Sequence, residues 1–123
     1  MKYKLIFLMF LSVILLSACT IDNPETKTTA TPMDNTPILY VQEGCSHCQI
    51  VEDYLIQNEA SGIRSSFQTR DIGKDKKALD AAIASAKVCG IPDSELGTPL
   101  FYDGSSCYMG SEDVINYFSS KIK

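Results

Sequence analysis

Hydrophobic positions divide the chain into a leading apolar block, a polar stretch and a longer region of short elements. Residues 5–16 carry no charge and are broken only by Ser12. Residues 22–36 hold almost no large apolar side chain. From Pro37 onward the pattern becomes that of a folded domain. Ile38, Leu39, Tyr40 and Val41 form a continuous run of strand formers, which suits a strand buried on both faces. Gly44 breaks it. Ile50, Val51, Tyr54 and Leu55 then repeat with helical spacing, and Gly62 is a plausible stop. Residues 66–72 predict a second strand. Residues 74–87 predict the clearest helix, with Leu79, Ala82, Ile83 and Ala86 on one face, ended by Cys89-Gly90-Ile91-Pro92. Residues 98–102 and 107–109 predict two strands joined across the turn signal Asp103-Gly104. Ser111 is placed as an N-cap, with Glu112 and Asp113 in the first turn, and Val114, Ile115 and Phe118 supply a last apolar stripe.

The resulting order is βαβαββα over residues 37–123. Two strands joined through a helix run parallel, and the tight turn makes the last pair antiparallel. A four-stranded mixed sheet flanked by helices, an α/β fold, follows. No internal repeat interrupts it.

The leading block is too short to span a bilayer, which takes about 20 apolar residues. Lys2 and Lys4 precede it, so residues 1–18 fit a signal peptide. Leu16-Ser17-Ala18-Cys19 resembles the lipobox of bacterial lipoproteins. That resemblance implies cleavage before Cys19 and acylation of its thiol; ordinary cleavage leaving a spare thiol is the alternative. Residues 19–36 then form the lipid-bearing cysteine and a linker, with five threonines between Asp22 and Thr36 and prolines at 24 and 32, a composition that favours a flexible stalk. The expected location is the cell envelope, lipid-anchored and facing outside the cytoplasm.

The chain has 123 residues, 45% of them hydrophobic, enough for one packed domain. Its net charge is -4, and loss of residues 1–18 leaves 9 basic against 15 acidic side chains, a net of -6. An acidic domain of this kind lacks the basic face of a nucleic-acid binder.

Five cysteines in so short a chain carry the candidate chemistry. Cys45 and Cys48 stand two residues apart at the start of a helix, just after a buried strand. There the free amides and the helix dipole stabilise a thiolate and lower the pKa of the first cysteine below the free value of about 8.5. Cys45 is the expected attacking thiol and Cys48 the resolving one. His47, the only histidine, adds positive charge beside the thiolate, stabilises the reduced form and makes the pair more oxidising; a solvated side chain without duty is the alternative. A structural disulfide or a soft-metal site for zinc or copper(I) is also open for the pair, although two cysteines without a second ligand pair are incomplete for structural zinc. Cys89 and Cys107 are expected to bridge in an oxidising compartment, contributing on the order of 3 kcal/mol. The rival is that one of them exchanges electrons with the CxxC pair. The sequence calls for no cofactor.

Val41-Gln42-Glu43-Gly44-Cys45-Ser46-His47-Cys48, followed by Gly97-Thr98-Pro99, resembles the thioredoxin superfamily and is most similar to its glutaredoxin-like branch across residues 37–123. The resemblance implies that Pro99 is cis and faces the CxxC, and that the backbone at Thr98 pairs with an extended substrate segment. Glutaredoxins usually carry a Gly-Gly pair and an aspartate after the last strand. Met109-Gly110-Ser111-Glu112-Asp113 keeps Gly110 and an acid but only one glycine, and His47 replaces the aromatic residue common inside the motif. Residues 88–97 add a loop beyond the minimal pattern. Protein thiols or disulfides are the implied substrates, with glutathione left open and a membrane redox partner expected. The expected function is an extracytoplasmic thiol-disulfide oxidoreductase, oxidising or isomerising rather than reducing; a metal-binding or metallochaperone module using the same thiols is the alternative.

Thioredoxin lies near -270 mV and the strong oxidants near -120 mV, so the sequence predicts a potential of roughly -200 to -130 mV for Cys45–Cys48. Equilibration against a glutathione buffer measures it, and His47→Pro or His47→Ser is expected to move it to more negative values. A wild-type potential below that of thioredoxin, or no response to replacing His47, contradicts this reading of the histidine.

Overall fold

Ile38–Val41 forms β1, the strand on which the sheet is built. Its residues Ile38, Leu39 and Tyr40 are all buried, because helices cover the sheet on both sides and a central strand then has no solvent face. The computed structural model describes residues 35–123; the expected signal peptide, Cys19 and the expected linker as far as residue 34 lie outside the described residues. The remaining elements are α1 (Ser46–Gln57), β2 (Gln68–Asp71), α2 (Lys76–Val88), β3 (Leu100–Tyr102), β4 (Cys107–Met109) and α3 (Ser111–Lys121). The sheet order is β2-β1-β3-β4. β1 runs parallel to β2, with Ile38 opposite Gln68, and antiparallel to β3, with Tyr40 opposite Leu100. β3 and β4 are antiparallel, Leu100 facing Met109. The protein is thus α/β, with a four-stranded mixed sheet and three helices. Among the described residues, no helix is long and apolar enough to cross a membrane.

Strand alternation sorts the core into two halves. Leu39 and Phe101 point to one side, where Val51 and Leu55 of α1 and Val114 and Phe118 of α3 close over them. Phe67 stacks on Phe118 at 5.0 Å between ring centroids and meets Phe101 edge-on at 5.6 Å. Ile38, Tyr40, Leu100 and Tyr102 point to the other side, under Ala82 and Ala86 of α2. Tyr40 reaches far enough to meet Ser85 Oγ at 3.1 Å. Ser85 Oγ donates in turn to the Ala81 carbonyl at 3.0 Å, so the Tyr40 hydroxyl is the donor to Ser85. Burial pushes the Tyr40 pKa up, with the Ser85 hydrogen bond and the Arg70 charge pulling against it.

Four expectations need correction. The buried face of α2 is Ala78, Ala82, Ser85 and Ala86, with Leu79 and Ile83 only half-buried. Tyr40 and Tyr102 already fill the space beneath, so only small side chains fit against them. In α1, Ile50 remains 49% exposed while Val51 and Leu55 are buried. Gly62 does not end α1: Asn58 does, its side-chain amide donating to the Tyr54 carbonyl at 2.8 Å, and two 3₁₀ turns at Glu59–Ser61 and Ile63–Ser66 follow. Gly110 rather than Ser111 is the N-cap of α3.

The β3–β4 turn depends on Asp103. Its Oδ1 accepts the backbone N–H groups of Ser105 at 2.9 Å and Ser106 at 2.7 Å. Gly104 has φ 102°, and a Cβ there would lie 2.5 Å from the Asn35 carbonyl oxygen, so no other residue fits without displacing the backbone. Burial pushes the Asp103 carboxyl up, but the Ser106 and Ser105 N–H groups, with the Ser105 and Tyr108 hydroxyls, outweigh it and hold the carboxyl below its ordinary value. A carboxyl depressed on folding adds stability above its unfolded pKa of about 3.9, and that stability is lost as pH falls through the folded value. Asp103→Ala is therefore expected to cost about 1 kcal/mol at neutral pH, with the gap from wild type shrinking as pH is lowered through the carboxyl's depressed titration. Urea unfolding at both ends of that range checks it.

Candidate active site

The chain leaves β1 at Val41 and turns through Gln42–Cys45, where the Cys45 N–H donates to the Gln42 carbonyl at 3.2 Å. Cys45 is the N-cap of α1, and its Sγ accepts the Cys48 backbone N–H at 3.1 Å. A sulfur at this position receives hydrogen bonding from amides that have no partner within the helix. The Cys45 and Cys48 sulfurs are at disulfide distance, with Cα atoms 5.2 Å apart. The two are not equivalent. Cys45 is half-exposed, whereas Cys48 is buried at 8% exposure.

Thr98, at the entry to the neighbouring strand β3, approaches Cys45. Its carbonyl oxygen and its hydroxyl both lie 3.5 Å from Cys45 Sγ. The hydroxyl is positioned to donate to the sulfur, and the carbonyl accepts from it when Cys45 is a thiol. The Thr98–Pro99 peptide bond is cis, and Pro99 is fully buried beneath it. The Pro99 carbonyl accepts the Gly110 N–H at 2.9 Å, joining this segment to the start of α3.

His47 is exposed, and its Nδ1 lies 3.3 Å from Ser111 Oγ. No local pattern in the sequence points to this contact, since Ser111 by type suits a cap. Because Gly110 takes the capping position, the Ser111 hydroxyl is available to the neighbouring helix. The structure brings Cys45, Cys48 and Thr98 together, with Pro99 beneath. It places His47 on the outer side, between the first turns of α1 and α3.

An open groove of about 530 Å³ runs alongside the pair, lined by Glu43, Cys45, Cys48, Glu52, Asp71 and Lys74 among others. Lys74 bonds Glu43 at 3.1 Å, and this hydrogen bond, with the charge behind it, holds the Lys74 pKa above its ordinary value. Glu52 pairs with Arg64 and borders the groove. Asp53 accepts from Gln49 at 2.8 Å and stays outside it.

Cys89, the C-cap of α2, is joined to Cys107 of β4 in a second disulfide with a Cα separation of 5.9 Å. Neither sulfur is shared with the CxxC pair. Cys19 lies outside the described residues. Among the described residues, no three His, Cys, Asp or Glu side chains are grouped to hold a metal ion.

The fold and site together define a small α/β domain with a vicinal thiol pair at an accessible helix start, a pair suited to redox or to thiol–metal chemistry. No family model, curated protein or solved structure matches this chain.

The difference in exposure has a direct consequence. After mild reduction, iodoacetamide is expected to modify Cys45 at least about tenfold faster than Cys48, since accessibility and thiolate character act in the same direction. Mass mapping of the alkylated peptides checks it; equal rates contradict the assignment of Cys45 as the outer thiol.

Proposed function

We propose that this protein is a thioredoxin-like thiol-disulfide oxidoreductase of the glutaredoxin-like type, tethered outside the cytoplasm through a lipid on Cys19. The observation that carries the reading is the unequal pair itself. Cys45 is reachable and hydrogen-bonded at a helix N-terminus with Thr98 at its sulfur, while Cys48 is buried behind it.

In the oxidising direction a substrate thiolate attacks Cys45 Sγ. The Cys45–Cys48 bond breaks, its electron pair stays on Cys48, and a mixed disulfide joins Cys45 to the substrate. A second substrate thiolate then attacks the substrate sulfur of that bond and releases Cys45 as a thiolate. The substrate gains one disulfide and the domain gains two thiols, so the electrons balance. The helix amides and the Thr98 hydroxyl favour Cys45 as the leaving thiolate. Run backwards, the same steps reduce a substrate.

Several features support protein rather than small-molecule substrates. The groove is open, and three carboxylates line it against one lysine, which disfavours the doubly carboxylated glutathione. The oxidising or isomerising role rests on His47 as a residue within the Cys45–Cys48 motif, although its ring is turned outward to Ser111. A membrane redox partner restores the pair.

Cys48→Ser tests this directly, because the variant cannot resolve a mixed disulfide. Expressed in its own cells, it is expected to accumulate disulfide-linked adducts with envelope proteins that disappear on reduction and are absent from Cys45→Ser. Absence of adducts, together with stoichiometric zinc or copper(I) in the reduced wild-type protein, would support the metallochaperone reading instead. Adducts with glutathione alone would move the substrate class to small thiols.

A further inference from the structure

The segment that delivers Thr98 to Cys45 has few ties of its own. After the C-cap of α2, Gly90 and Ile91 donate backward to Lys87 and Ala86 at 3.1 and 2.8 Å. Beyond them Glu95 bonds Pro92 at 2.9 Å and Leu96 bonds Asp93 at 3.4 Å, both within the segment. The Lys87–Asp93 pair is 3.8 Å apart and exposed, and contributes little. Among the described residues, no backbone hydrogen bond joins residues 90–97 to the sheet.

What ties residues 89–97 to the sheet is covalent and apolar; the next polar tie is the Gly110 N–H to the Pro99 carbonyl, just beyond Thr98. Cys89 is bonded to Cys107 of β4, and Ile91 and Leu96 pack on the core half that also includes Cys107 and Met109. Cys107 and Met109 lie on the same face of β4, and Gly97 passes close enough that a Cβ on it would sit 3.8 Å from Met109 Sδ. The segment therefore starts on one residue of β4 and returns beside another. Its last two residues before β3 are Thr98 and Pro99, and the ring closed by the disulfide contains all of it.

We propose that the Cys89–Cys107 disulfide is a positioning device for Cys45: it fixes the segment that holds the Thr98 hydroxyl against the Cys45 sulfur, and so sets how strongly the thiolate is favoured. The inference rests on the reading of Cys45 as the exchanging thiol. Thr98 offers that sulfur two groups. Its hydroxyl donates to a thiolate; its carbonyl accepts from a thiol. The bond to the charged sulfur is the stronger, because charge-assisted hydrogen bonds are roughly twice as strong as neutral ones and a thiol is a weak donor. Net, a fixed Thr98 favours the thiolate. Opening the second disulfide gives the segment more conformations and dilutes that contact. Cys89 and Cys107 touch no reacting atom and act through Thr98.

The test uses the full chain carrying Cys48→Ser, in which Cys45 is a free thiol without reductant and the second disulfide stays closed. The pH dependence of Cys45 alkylation is measured with and without Cys89→Ser/Cys107→Ser, alongside thermal melting. Glu43, Glu52, Asp71 and Lys74 around the groove, and His47 and Ser111 on the helix side, are the same in every variant, so a shift reports the Thr98 contact. Opening the bridge is expected to raise the alkylation midpoint by about half a pH unit, slowing the reaction about threefold at pH values below the midpoint. Thr98→Val is expected to do the same with the bridge intact, and the combined variant no more than Thr98→Val alone, the non-additivity of residues acting through one contact.

An unchanged midpoint with a lowered melting temperature would overturn the proposal and leave the bridge a purely stabilising element. Two shifts that simply add would overturn the route through Thr98. Should the serine pair fold poorly, Cys89→Ala/Cys107→Val fills the site with apolar volume and gives the same readout. Alkylation requires no turnover, so a wild-type protein that exchanges no disulfides would defeat the functional reading while leaving this result to stand or fall separately.

Discussion

The register between β1 and β3 is the constraint on which the site depends. Tyr40 lies opposite Leu100 in an antiparallel pair, so the exit of β1 stands beside the entry to β3. The exit leads into the turn carrying Cys45; the entry is Thr98–Pro99. Residues 53 positions apart in sequence meet at 3.5 Å for that reason. A slip of one residue would turn Leu39 and Phe101 to the wrong faces of the sheet, and both are nearly fully buried. The burial that fixes the register also fixes the distance between the thiol and the threonine.

The two faces of the sheet contribute differently to this arrangement. On one side α1 and α3 pack through Val51, Leu55, Val114 and Phe118, which brings their N-terminal turns together. Cys45, His47 and Ser111 lie at those two turns. On the other side α2 meets the sheet through alanines and Ser85, and its C-cap, Cys89, is bonded to β4. The aromatic half-core holds the helix that bears the thiols. The small-residue half-core and the second disulfide hold the segment that faces them.

Much of this was legible in the chain because periodicity and turn chemistry agree there. The four apolar residues of β1, the helix after Cys45, the alanine-rich helix and the Asp103-Gly104 turn each state their element, and the order of elements leaves little freedom in the topology. The thiol pair was legible from spacing and from its place after a buried strand. Other features depend on tertiary contacts that no local pattern records. Phe67 sits in a polar neighbourhood, yet its ring belongs to the aromatic half-core with Phe101 and Phe118. The face of α2 is decided by the tyrosines beneath it and not by its own larger residues, so Leu79 and Ile83 misled. Ser111 is a good capping residue by type, but Gly110 takes the capping position and leaves Ser111 to His47. Glu43 follows β1, whereas Asp71 and Lys74 belong to the end of β2 and the turn after it, and the two segments meet only once the groove exists.

The most direct measurement is a stoichiometric transfer between the fully oxidised protein and a reduced peptide carrying two cysteines, with thiols counted on both partners by mass. The expected result is one disulfide formed in the peptide for each two thiols appearing at Cys45 and Cys48, with the Cys89–Cys107 bridge retained. No transfer, or thiols appearing at Cys89 and Cys107 while the first pair stays closed, would contradict the assignment of Cys45 and Cys48 as the exchanging pair.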